Sequence, residues 1–213
     1  LYRVDDRPFR FRIVEGAEDF LSAAAYELDS REALNALAER LSAAGHAAQW
    51  GDADGAALRH VEAYFATQDP AGNGLEFYCG GARDTVAFAS PQDVSGFVTG
   101  DMGMGHAVYC APDFAASHRF YKEVVGFHDT DMPVFKFSPD PSDPGMRFAF
   151  MHADNSRHHA VAFGEMPQGP ARCVDLLVGP VVAQPVAVAV AARCPLGGRV
   201  AVVVSRPLRR LGQ

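Results

Sequence analysis

The 213-residue sequence lacks the excess of base that a phosphate backbone demands. Lys and Arg number 19 against 26 Asp and Glu, for a formal net charge of −7, which excludes nucleic acid as the expected main partner. It also lacks an apolar run that would span a bilayer comfortably. The longest uncharged one, Leu176 to Ala192, is short and carries Gly179, Pro180, Gln184 and Pro185, so no membrane partner is expected. No basic stretch with a short apolar core opens the chain, so the reading is no signal peptide and a cytoplasmic protein. Cysteine is scarce: Cys79, Cys110, Cys173 and Cys194 show neither CxxC spacing nor the density of a disulfide scaffold. What remains is ordinary globular composition, 48% hydrophobic and 10% aromatic, enough for one or two domains with a real core.

The two ends differ from the middle. The chain opens without methionine, inside the alternating run Leu1-Tyr2-Arg3-Val4. Residues 1–171 hold 25 acidic and 13 basic side chains. Residues 172–213 hold one acid, Asp175, and six arginines, with no aromatic and no histidine.

Between the ends an order repeats. Residues 8–14 (PFRFRIV) alternate as a half-buried strand does. The apolar run Leu21 to Leu28 leads to Asp29 and Glu32, which have capping-box spacing. Ala33, Leu34, Leu37, Ala38 and Leu41 then follow one helical face, and Gly45 stands at the C-terminal stop. After a variable stretch, Val61 to Thr67 and Leu75 to Cys79 read as strands around the turn cluster Asp69-Pro70-Ala71-Gly72-Asn73-Gly74. A second copy follows: a strand at Gly105 to Ala111, a helix from Phe114 to Val125 stopped by Gly126, and a Pro/Asp-rich loop at 138–145. Strands at Arg147–Met151 and His159–Phe163 complete it. The repeat is about 80 residues long. Aligned on Tyr26 and Tyr109, it sets Ala23 opposite His106, so the second copy carries a metal-capable side chain where the first is inert. Residues 82–103 read as a linker over the surface, and the Val/Ala/Pro/Arg-rich tail after 178 shows no clear period.

His106, between Gly105 and Ala107 on an apolar strand, has two readings: a hydrogen-bonded core histidine, or a ligand. The cluster His152-Ala153-Asp154-Asn155-Ser156-Arg157-His158-His159 also has two. Neighbouring histidines on a strand face opposite ways, so only one of His158 and His159 can look into a cavity. Alternatively His158 caps a turn and His159 is a solvated edge residue. From spacing alone, a metal or acid/base role for His106 with His159 stands level with these plainer readings.

Four segments resemble a known family. Phe120-Tyr121-Lys122-Glu123-Val124-Val125-Gly126-Phe127 is similar to the FY…LGF helix ending of the vicinal oxygen chelate superfamily. Gly103-Met104-Gly105-His106 resembles the GxGH that opens the catalytic half of type I extradiol dioxygenases. Asn155 to Phe163 resembles their NxRHHxLAF segment, and Asp69 to Tyr78 their DPxGNxLExY hairpin. The match runs in order over residues 1–175 and is nearest the 2,3-dihydroxybiphenyl 1,2-dioxygenase type. The resemblance implies an α+β fold of tandem βαβββ modules, the first and last incomplete here. A structural N-terminal domain would take residues 1–81, a linker 82–103, a partial catalytic domain 104–178 and an atypical tail 179–213. It implies extradiol ring cleavage of an aromatic vicinal diol by O₂ at Fe(II), with Mn(II) as the occasional substitute, in a homo-oligomer. Two histidines and one glutamate hold the ion and leave sites open for exchange, and an unligated histidine handles protons. Carried over, His106 matches the first ligand, His159 the acid/base histidine, and Val108 a pocket-lining position. His158 matches the neighbour of that pair and receives no ligand role.

This sequence departs from the pattern at its end. The second histidine ligand belongs about 15 residues after His159, where Arg172-Cys173-Val174-Asp175 puts Asp175 in the slot; the glutamate ligand belongs in the featureless tail. The first module also lacks its opening strand and helix. The expectation is therefore a truncated or frameshifted dioxygenase chain with weak iron binding and an exposed apolar cup that favours self-association. Two alternatives are a glyoxalase- or resistance-type protein, which has little use for the Arg-His-His segment, and a non-catalytic binding protein that keeps the fold without the metal.

Overall fold

The computed structural model describes residues 1–16, 20–91, 97–136, 138–165, 177–178, 188–189 and 199–208. After β1 (Phe11–Gly16) comes β2 (Phe20–Leu28), whose Ala24, Ala25, Tyr26 and Leu28 are buried on both faces. The near-continuous apolar run has that cause: Ala24, Tyr26 and Leu28 pack in the main core, while Ala25 packs with Tyr78 in a second cluster. Helix α1 (Arg31–Ala43) starts one residue later than the Asp29–Glu32 spacing suggests: Ser30 is the cap, its hydroxyl accepting from the Ala33 N–H at 3.2 Å. Leu34, Leu37, Ala38 and Leu41 face the core. Gly45, at φ +83°, ends the helix as read from sequence, with His46 N–H donating to Leu41 and Gly45 N–H to Ser42.

The stretch read as variable holds β3 (Gln49–Trp50) and α2 (Ala53–Arg59), which begins where the Asp52 carboxylate accepts from Gly55 N–H at 2.7 Å. Strands β4 (Ala63–Gln68) and β5 (Gly74–Cys79) form the expected hairpin. The second copy runs β6 (Ala107–Cys110), α3 (Phe114–Arg119), β7 (His128–Asp131), β8 (Val134–Phe135), β9 (Met146–His152) and β10 (Val161–Gly164). The single helix expected over 114–125 is divided: α3 passes into a wider π-turn at Phe120–Val125, which Gly126 (φ +94°) ends. The wider turn lets the adjacent Phe120 and Tyr121 both reach the core, where they are 2% and 0% exposed.

The duplication is visible as topology. In the first sheet β2, β5, β4 and β3 lie in that order, and in the second β6, β10, β9 and β7 do the same. Each unit is thus a βαβββ module with its first strand parallel to its fourth. Tyr26 pairs with Phe77 and Tyr109 with Phe163, so the two tyrosines occupy equivalent positions. The tail, without period in the sequence, supplies β11 (Leu177–Val178) and β12 (Val188–Ala189), which pair with each other. It also supplies β13 (Arg199–Leu208), which lies between β1 and β2, antiparallel to the former and parallel to the latter. Among the described residues no helix is long and apolar enough to cross a membrane.

One core serves both units. Tyr26 stacks on Phe77 and meets Phe127 edge-on, while Tyr121 stacks on Phe163 at 5.3 Å. Arg40 of α1 donates to the carbonyls of Val124 and Val125, capping the helix end of the other unit. The Asp69 carboxylate accepts from Ala71 N–H, from the backbone and side-chain amides of Asn73, and from Tyr121 O–H at 2.9 Å across the units. Burial pushes the Asp69 carboxyl above its usual range against the pull of these donors. Tyr121→Phe removes one donor from this buried acceptor and is expected to cost about 1.5–3 kcal/mol, read as a lower denaturation midpoint at unchanged slope.

Candidate active site

Strand β6 begins at Ala107 and β10 at Val161, so both histidines singled out in the sequence stand just ahead of their strands rather than on them. The opposite-faces argument for His158 and His159 therefore does not apply, since both lie in the β9–β10 loop. Parallel pairing of Ala107 with Val161 sets the two strand entrances side by side, and Ala107 N–H donates to the Ala160 carbonyl. The His106 and His159 rings consequently meet, with centroids 4.2 Å apart and planes inclined by 53°. Both are half-buried.

The neighbours follow from the register. Val108 stands two residues after His106 and beside Ala162, which in turn pairs with Phe150, so these three lie abreast on one face. Phe150 meets His159 edge-on at 4.9 Å, and Phe148 and Phe135 continue the aromatic row away from the histidines. His158 is exposed, its Nδ1 3.0 Å from Nδ1 of His159, an arrangement in which one ring must donate and the other accept. Thr130 Oγ1 donates to the His158 carbonyl and lies 2.6 Å from His152 Nδ1, fixing the far side of the loop. The near side is held by Arg157, whose Nε donates to the Met102 carbonyl at 2.7 Å and whose Nη2 donates to the Gly103 carbonyl at 3.0 Å.

The pair offers one imidazole for a metal and a second beside it. Asp175, the other residue assigned to the metal, lies outside the described residues. Among the described residues no group of three His, Cys, Asp or Glu side chains converges. His106 thus fits one donor position of a facial site, and the described residues do not complete the set.

The first unit shows why its equivalent position is inert. Ala23 stands where His106 does, and Glu76 where Ala162 does. Glu76 is engaged by Arg59 through Nε at 2.8 Å and Nη2 at 2.6 Å, and Arg59 also lies over the Tyr64 ring at 3.9 Å. Those hydrogen bonds hold the Arg59 guanidinium above its usual pKa range despite burial. A cleft of about 540 Å³ opens there, at Ala23, Ala66, Gln68, Asp69 and Glu76. Sequence reading missed Arg157, Phe150 and the Thr130–His152 contact. Arg157 stood inside the Asn155–His159 segment, but a guanidinium spent on carbonyls leaves no signature in spacing.

Known proteins resemble this chain over most of its length. Residues 103–179 match the family described as Glyoxalase/Bleomycin resistance protein/Dioxygenase superfamily. Biphenyl-2,3-diol 1,2-dioxygenase of Pseudomonas sp. strain KKS102 is 40% identical over 168 residues, 78% of this chain and 56% of that protein. The iron-dependent extradiol dioxygenase of Rhodococcus jostii RHA1 is 36% identical over 180 residues, 83% of this chain and 59% of its own length. The solved 2,2′,3-trihydroxybiphenyl 1,2-dioxygenase of Sphingomonas wittichii RW1 superposes with a TM-score of 0.69 at 25% identity. That superposition covers 96% of this chain and 77% of the other. The chain therefore spans little more than half the length of the curated relatives it matches. Residues 103–179 are thus a domain of the glyoxalase/bleomycin resistance/dioxygenase superfamily, and the tandem βαβββ units and these relatives are what the rest of the chain resembles.

Proposed function

We propose that the chain serves extradiol cleavage of an aromatic vicinal diol by O₂, the chemistry named for its relatives. The observation that carries the reading is the contact between His106 and His159. His106 is one metal donor, and Asp175 is proposed as another in the slot where a histidine is expected. Fe(II), or Mn(II) in its place, when bound, supplies a Lewis-acidic, redox-active centre that takes the diol and O₂ together. The carbon–carbon bond beside the two hydroxyls breaks and both oxygen atoms enter the product, so no outside reductant is consumed.

The protein's own groups do the rest. His159 takes a hydroxyl proton from the diol and returns it to the ring-opened product, and its imidazole suits that exchange near neutral pH. Phe150 packs edge-on against that ring, and Val108 with Phe150 gives the pocket an apolar floor that orients an aromatic ring. The first unit, over residues 1–81, is proposed as scaffold and residues 104–178 as the catalytic part, joined through 82–103. Assembly with further copies and a cytoplasmic setting complete the proposal.

The test is anaerobic addition of Fe(II) to the full chain, followed through the ring resonances of His106 and His159, and then catechol with O₂. Weaker than micromolar binding is expected, with paramagnetic broadening of His106 and Fe(II)-dependent formation of ring-opened product. No broadening and no turnover at millimolar Fe(II) would overturn the reading in favour of a non-catalytic binding protein.

A further inference from the structure

Arg157 is a half-buried cation that makes no ion pair among the described residues. Its guanidinium hydrogen bonds instead go to two backbone carbonyls, Met102 at 2.7 Å and Gly103 at 3.0 Å. Desolvation of the charge lowers its pKa from the ordinary arginine value, which shows that the placement carries a cost. The carbonyls it holds close the short helical turn Gly100–Met102, three residues ahead of His106. That approach, Gly103-Met104-Gly105-His106, has a glycine on each side of Met104, and Gly103 sits at φ +67°. Two glycines give the backbone conformational freedom there, and Met104, 2% exposed, anchors it to the core. Arg157 itself stands two residues before His159, its own N–H turned back onto Asn155 Oδ1 at 3.0 Å. One planar fork therefore ties the segment that carries His106 to the loop that carries His159.

We propose that Arg157 is a positioning residue that sets the distance and tilt between His106 and His159. The role rests on the ring-cleavage reading for its consequence in turnover, while the clamp itself is measurable without it. A fork of two parallel N–H donors fixes a carbonyl pair in one plane, which a lysine ammonium on a flexible stem cannot do. The strand register brings the two entrances together, but β6 and β10 begin after both histidines, so strand pairing stops short of them.

The experiment uses the full chain with isotope-labelled histidine and two variants, Arg157→Met and Arg157→Lys. The readout is the nuclear Overhauser contact between the His106 and His159 rings, with the Tyr26–Phe77 contact as the control for an intact core. The His106–His159 contact is expected to fall at least fivefold in Arg157→Met and about twofold in Arg157→Lys, with the Tyr26–Phe77 contact unchanged. If the Met variant fails to fold, the Lys variant decides. A wild-type His106–His159 contact in whichever variant decides overturns the proposal. In Fe(II)-loaded protein, kcat is expected to drop about 10²-fold in Arg157→Met with KM within about twofold. Loss of the ring contact alongside a wild type that turns over no catechol would uphold the clamp and remove the ring-cleavage reading instead.

Discussion

Asp5→Ala is expected to lower folding stability by about 3–5 kcal/mol, the cost of leaving one member of a buried ion pair without the other. Arg10 is 1% exposed and Asp5 8% exposed. Arg10 donates from Nε at 2.8 Å and also from Nη2 to Asp5 Oδ2, while Oδ1 of the same carboxylate accepts from Arg7 N–H at 3.0 Å. Removing the carboxylate takes the opposite charge away from a buried guanidinium. Burial alone would raise the Asp5 carboxyl. Hydrogen bonds from Arg10 and Thr99, the Arg10 charge and the Arg7 amide overcome it and hold the group below its ordinary 3.8. A carboxyl depressed in the folded state contributes stability above its unfolded pKa and loses it as pH falls toward the folded value. Urea titrations should therefore show the wild type losing stability as pH drops below about 3.8, and Asp5→Ala showing a smaller loss over the same interval. A variant as stable as the wild type at neutral pH would mean the pair is replaceable by water.

Those three residues show what the sequence could and could not disclose. Leu34, Leu37, Ala38 and Leu41 announce a helix because burial on one face imposes a period, and Gly45 and Gly126 announce stops because a left-handed residue is needed there. The duplicated βαβββ order was legible for the same reason, each unit repeating the same punctuation. Asp5, Arg7 and Arg10 were not legible: read in order they look like a solvated, alternating segment, and only tertiary contact turns them inward. Residues 46–60 escaped because β3 is two residues long and α2 is seven, too short for a period to emerge. The tail escaped for a different reason: β11 and β12 are two residues long, and the run Val200 to Val204 within β13 carries no alternation to read.

The candidate site divides in the same way. His106 and His159 are separated by over fifty residues and neither spacing nor period links them. The parallel register of Ala107 with Val161 does. Glu76 in the first unit is engaged by Arg59 through both carboxylate oxygens, a fact invisible along the chain because the partner sits on α2. Val108, by contrast, entered through the resemblance as a pocket-lining position, and the register sets it beside Ala162 and Phe150.

The two histidines are expected to fail differently when replaced, and that difference is the sharpest test of their proposed roles. His106→Ala removes a metal donor, so Fe(II) should no longer broaden the His159 ring resonance and ring-opened product should fall to background. His159→Asn leaves His106 in place, so Fe(II) should still broaden the His106 signal while kcat drops about 10²–10⁴-fold, the usual worth of a positioned acid/base group. Neither change should disturb the fold greatly. Both rings are half-buried at strand entrances, whereas the core residues Tyr109, Phe163 and Tyr121 pack on the opposite side of the same strands. If His159→Asn abolishes the Fe(II) effect and His106→Ala preserves it, the two roles are exchanged. If both variants retain wild-type turnover, the pair is structural, and the chemistry lies elsewhere in the chain.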